Sequence, residues 1–128
     1  MARNYVWKEK IVLIVEDDII SGAFLKEALD DMESRNLLAT CGEDAIKMFT
    51  AEKVDVVLMD IQLPDIDGWQ LTEMFKKMKP EVPIIAQTAF AMQEDRIRCA
   101  EAGCDDYIEK PTSLDALKDK LNFYLKKV

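Results

Sequence analysis

The chain has 128 residues, 49% of them apolar and 33% charged, with a formal net charge of −8. These figures describe one globular domain and exclude a nucleic-acid binder that works through clustered Lys and Arg. No apolar run reaches the ~20 residues a membrane span needs, and the opening MARNYVWKEK has no apolar core of signal-peptide type. A cytoplasmic domain without membrane contact is therefore expected.

Residues 1–9 read as an N-terminal lead-in. The aliphatic run at residues 11–15 (IVLIV) predicts a strand buried on both faces. It ends in three acids, Glu16, Asp17 and Asp18. Ile20, Phe24 and Ala28, with Leu25, Leu29 and Met32, then recur at helical spacing, and Asp18 or Ser21 suits the first turn. Residues 36–40 form a weaker strand candidate, and residues 42–51 a helix through Ala45, Ile46 and Phe49.

A second buried strand, residues 54–59, ends on Asp60. Pro64 and Gly68 bound the loop that follows, and residues 69–79 are amphipathic through Leu71, Met74, Phe75 and Met78, ending before Pro80. Residues 83–89 (PIIAQTA) predict a fourth strand with Thr88 near its end. Residues 91–102 predict a helix closed by Gly103. Residues 106–108 make a short fifth strand before Glu109, Lys110 and Pro111. The last helix is expected to start near Thr112 or Ser113, with Asp115 completing a capping box.

Five strand–helix repeats require parallel strands and right-handed crossovers, hence a doubly wound α/β sheet over residues 1–128. In such a sheet the strand ends emerge on one edge, where ligands bind. Glu16, Asp17, Asp18, Asp60, Thr88 and Lys110 all lie at strand ends. Two carboxylates ~4 Å apart repel by about 4 kcal/mol at an effective dielectric near 20, so such a cluster calls for a proton or a cation. Oxygen ligands suit Mg2+, which favours a phosphate as a further ligand. Lys110 and Thr88 would surround the oxygens of a phosphoryl group, with Asp60 as its nucleophile. Each residue also has a plainer use: Thr88 as a helix cap, Lys110 in a surface pair with Glu109 or Asp106, the acids as a favourable first helical turn.

The chain has no histidine, so a histidine nucleophile, base or metal ligand is excluded. Cys41, Cys99 and Cys104 lack C-x-x-C spacing and read as reduced thiols.

The segments IVLIVEDD, VVLMDIQLPDIDGWQL, PIIAQTAFA and AGCDDYIEKP resemble, in order and spacing, the receiver domains of two-component response regulators. The resemblance implies a (βα)5 flavodoxin-like fold with strand order 2-1-3-4-5. It makes Asp60 the phospho-acceptor, and Glu16 and Asp17 the acidic pair for Mg2+. The Gln62 backbone carbonyl becomes a further metal ligand, Thr88 and Tyr107 the switch pair, and Lys110 the family's lysine. It also implies a cis Lys110–Pro111 bond, and gives Gln62 and Phe90 a part in tuning phosphoryl lifetime.

The implied donor is a histidine kinase or histidine phosphotransfer domain. The implied readout face is the fourth helix, fifth strand and fifth helix, which is also the expected surface for a homodimer. The phrasing of QTAFAMQEDRIRCAEAGCDDYIEKP favours the receiver of a hybrid sensor histidine kinase over a stand-alone regulator. The stretch contains no output domain. A phosphohydrolase with an aspartyl nucleophile is the enzymatic alternative. It would want a second Asp two residues after the first, where this chain has Asp60-Ile61-Gln62.

Overall fold

The computed structural model describes residues 5–89, 93–110 and 113–126. Along the chain lie β1 (Ile11–Val15), α1 (Ile19–Asp30), β2 (Arg35–Ala39), α2 (Gly42–Ala51), β3 (Val56–Asp60), α3 (Gly68–Met78), β4 (Ile84–Thr88), α4 (Gln93–Ala102), β5 (Asp106–Glu109) and α5 (Leu114–Leu125). The sheet order is β2-β1-β3-β4-β5, with every pairing parallel. The (βα)5 flavodoxin-like architecture expected from the sequence is the one observed.

Strand alternation divides the core. Val12, Ile14, Val56, Leu58, Ile85 and Ile108 point to the side covered by α1 and α5, where Leu29, Leu117, Leu121 and Leu125 complete the packing. Leu13, Val15, Val57, Met59 and Ile84 point the other way, toward Ala45 and Phe49 of α2 and Leu71 and Phe75 of α3. The Phe49 and Phe75 rings stack at 4.0 Å between centroids. A third cluster joins Trp69, Ala86, Cys99 and Ala102, with Tyr107 packed against it.

Several local expectations change. Strand β3 starts at Val56, and the Asp55 just before it is tied to β1 twice: its N–H donates to Ile11 O at 2.8 Å and its carboxylate accepts the Ile11 N–H at 2.8 Å. It extends through Asp60, so the acid is part of the strand. At α5 the cap is Ser113, whose hydroxyl accepts from the Ala116 N–H at 3.1 Å. Ala116 occupies the position a capping-box acid would need, so Asp115 contributes first-turn charge alone. Helix α1 keeps an expected cap, Asp18, which accepts from the Ser21 N–H at 3.2 Å.

The lead-in is docked. Trp7 is only 3% exposed, its indole N–H donates to Asn122 Oδ1 at 2.9 Å, and its backbone N–H bonds to Met32 O. It belongs to the core beneath α1 and α5. The cysteines also differ from the reading as separate thiols: Cys99 and Cys104 are brought together, Cα atoms 5.4 Å apart, while Cys41 is free.

Truncating a buried Trp forfeits its transfer energy and leaves a cavity. Trp7→Ala is expected to cost about 3 kcal/mol, read as a lower urea midpoint with an unchanged slope.

Candidate metal and phosphoryl site

The site begins as the last step of two apolar strand faces. Glu16 follows Val12 and Ile14, Asp60 follows Val56 and Leu58, Gln87 follows Ile85, and Lys110 follows Ile108. Each is two residues beyond a side chain packed under α1 and α5. The ladder holds them there: Glu16 N–H donates to Ala39 O at 2.9 Å, and Lys110 N–H to Thr88 O at 2.7 Å. The result is a polar layer closing one end of a hydrophobic core.

Within it, Lys110 Nζ donates to Glu16 Oε1 at 2.8 Å and lies 3.4 Å from Asp60 Oδ2. Lys110 thus spans the two carboxylates, and the plainer pairings with Glu109 and Asp106 are not made. Asp106 pairs with Lys120 at 2.9 Å instead. Carboxylate oxygens of Glu16, Asp17 and Asp60 all lie within 4.8 Å of one another. Glu16 is 1% exposed and Asp60 7%, while Asp17 faces solvent. Asp18 is the acid of the run that turns away, held by Ser21.

The electrostatics follow from burial and crowding. Burial disfavours the ionised Asp60, Glu16 beside it adds to that, and together they push Asp60 up to about 7. The Gln62 N–H (3.0 Å to Oδ1) and Lys110 oppose the shift. Burial pushes Glu16 the same way, but its hydrogen bonds with Asp60 and Lys110 and the lysine charge outweigh it and hold Glu16 below its ordinary range. Lys110 is desolvated as well, yet the two acids keep its pKa above the usual lysine value. Below about pH 7 the two buried carboxyls therefore hold one proton between them.

The donor set fits Mg2+. Carboxylate oxygens within 4.8 Å of one another leave room for a small cation between them, and Mg2+ takes oxygen ligands at about 2.1 Å. The cleft holds about 310 Å3 and is also lined by Ser21, Gln62, Gln87, Thr88 and Asp95. Thr88 lies at its rim with Oγ1 3.5 Å from Asp95 Oδ2, in the first turn of α4. Tyr107 is one strand over, its register partner being Ala86, and the Arg96 guanidinium lies 5.3 Å from its ring. Thr88 and Tyr107 continue the opposite sheet face from Asp60 and Lys110. The loop after Asp60 is pinned at both ends. Asp65 accepts from the Gly42 and Glu43 N–H groups, and Gly68 lies so close that a Cβ there would meet Asp60 O at 2.7 Å.

Gln87 escaped the sequence reading. It is 3% exposed, pairs in register with Asp60, and its Nε2 has no hydrogen-bond partner among the described residues. A polar residue two after Ile85 in a buried strand was the available signal. Phe90, Pro111, Thr112 and the expected helix start at Ala91 lie outside the described residues.

Fold and site together define a doubly wound α/β domain with an acid-lined, lysine-bridged cleft at the carboxyl edge of its sheet. The chain belongs to the response regulator receiver domain family, whose model matches residues 12–122. It is 32% identical over 120 residues to sensor histidine kinase RcsC of Escherichia coli K12, covering 94% of this chain but only 13% of that kinase. It is 32% identical to the polar-differentiation response regulator DivK of Brucella ovis, covering 91% of this chain and 96% of DivK. Among solved structures, the receiver domain of sensor histidine kinase PA1611 from Pseudomonas aeruginosa PAO1 aligns at a TM-score of 0.85 and 32% identity, over 92% of this chain and 98% of that one. That structure has a magnesium ion coordinated in its active-site cleft. A CheY-like receiver from Methanospirillum hungatei JF-1 aligns at 0.87 and 30% identity, over 91% and 94%. Among the described residues no helix is long and apolar enough to cross a membrane.

In metal-free buffer, stability is expected to fall as pH rises from about 4 to about 7. In that window folded Asp60, with its pKa near 7, keeps a proton that the unfolded chain releases around the ordinary value of 3.8. Asp60→Asn should flatten the slope and raise stability at pH 8 by about 2 kcal/mol. Urea unfolding across a pH series reads both.

Proposed function

We propose that Asp60 accepts a phosphoryl group from a phosphohistidine in a Mg2+-dependent reaction. The carrying observation is the meeting of Glu16, Asp17 and Asp60 within 4.8 Å, with Lys110 bridging the two buried acids. An Asp60 oxygen attacks phosphorus, the P–N bond breaks, and its electron pair returns to the imidazole nitrogen. Glu16, Asp17, Asp60 and the Gln62 carbonyl would hold Mg2+, which when bound neutralises charge on the phosphoryl oxygens. Lys110 supplies an ammonium to one of those oxygens, and Thr88 a hydroxyl to another.

Phosphorylation adds about −1.5 to −2 charges and strong acceptor oxygens. Thr88 moving toward them leaves its contact with Asp95 of α4, and Tyr107 turns on the same sheet face. The surface of α4, β5 and α5 then reads out the state. Exposed Ile97 and Phe123 (51% and 58%) support its use by a downstream acceptor or a second copy of the chain. Residues 1–128 are taken as a single receiver domain. The kinase relatives favour the receiver of a hybrid histidine kinase, with a kinase or phosphotransfer domain as donor. DivK, matched along nearly its whole length, supports a stand-alone regulator as the second reading.

Incubation with Mg2+ and acetyl phosphate, followed by intact-mass measurement, tests the chemistry. One phosphoryl adduct is expected, absent in Asp60→Asn and without metal. Repeated turnover of phosphoesters with no adduct would favour the phosphohydrolase instead.

A further inference from the structure

Helix α4 ends in a Schellman motif. Gly103 takes φ +91°, its N–H bonds to Ala100 O at 3.2 Å, and the Cys104 N–H bonds to Cys99 O at 3.0 Å. That turn folds the second residue past the helix end back onto the residue in its last turn, where an apolar contact usually sits. Here both positions are cysteine, so the cap itself places the two sulfurs together. The Cα separation of 5.4 Å lies in the ordinary range for a disulfide.

We propose that Cys99 and Cys104 form a reversible redox site that sets how firmly α4 is held. Cys99 is buried, at 6% exposed, while Cys104 is partly exposed and open to a reagent. Cys99 and Ala102 are the buried residues of α4, which makes the helix weakly anchored. Cys99 shares its cluster with Trp69 and Ala86, and Tyr107 packs against the same cluster. The oxidant class is a small disulfide such as oxidised glutathione. The Cys104 thiolate attacks one of its sulfurs, and the other leaves as a thiolate that takes up a proton. The Cys99 thiolate then attacks the Cys104 sulfur, forming the Cys99–Cys104 bond and expelling the second small thiol. Two protein thiols are oxidised and one disulfide is reduced to two thiols. Dithiothreitol reverses the process by the same exchange. The site stands on the helix cap and does not depend on phosphorylation at Asp60.

The test treats the folded, fully reduced chain with oxidised glutathione, then counts thiols and follows amide hydrogen exchange. Expected is a fall from three reactive thiols to one, the survivor being Cys41, with loss of the mass of two hydrogens. Amides of residues 99–104 should slow by about tenfold or more while those of β1 and β3 do not change. Dithiothreitol should restore both readings. Cys104→Ser and Cys99→Ala, each checked for an unchanged far-UV spectrum, should show no oxidation-dependent slowing. A persistent glutathione adduct on Cys104, an irreducible product, or a disulfide that leaves exchange in α4 unchanged would each overturn the proposal.

Discussion

Two carboxylates that would repel each other, Glu16 and Asp60, are buried at the end of a hydrophobic core and bridged by one ammonium. Burying a charge without a partner costs several kcal/mol, so the arrangement persists because Lys110 spans both acids and the Gln62 N–H caps one of them. One positive charge against two buried negative ones leaves a deficit. A shared proton or a divalent cation offsets it, and the two compete for the same oxygens.

The rest of the chain holds that conflict in place. Parallel pairing of β1, β3, β4 and β5 brings Glu16, Asp60, Gln87 and Lys110 to one layer, though they are far apart in sequence. The apolar side chains beneath them on the same strand faces supply the favourable burial that the polar layer lacks. The tight loop after Asp60 does the rest. Asp65 ties it to the start of α2, and Gly68 admits α3 close to the Asp60 carbonyl, where alanine would collide with backbone.

The order of elements and the strand-end acids were legible because they rest on local patterns: aliphatic runs of five, helical spacing, and a carboxylate or lysine at each junction. What escaped was set by tertiary contact. Trp7 lay before any periodic segment, and only its fit against Met32 and Asn122 makes it core. Gln87 looked like an ordinary strand residue until its neighbours made its amide costly. The cysteines carried no C-x-x-C spacing, yet Gly103 was visible. A helix end at that glycine would have put residues 99 and 104 in contact. Asp115 was misassigned by one position, within the usual error of placing a helix start.

Calorimetric titration of Mg2+ at a series of pH values addresses the central conflict most directly. One saturable site with proton release on binding is expected, with affinity rising with pH by up to about tenfold per unit until it levels off above roughly 7. Asp60→Asn should abolish the proton release. Absence of saturable binding, or an affinity and proton count that ignore both pH and the Asp60 substitution, would contradict that expectation.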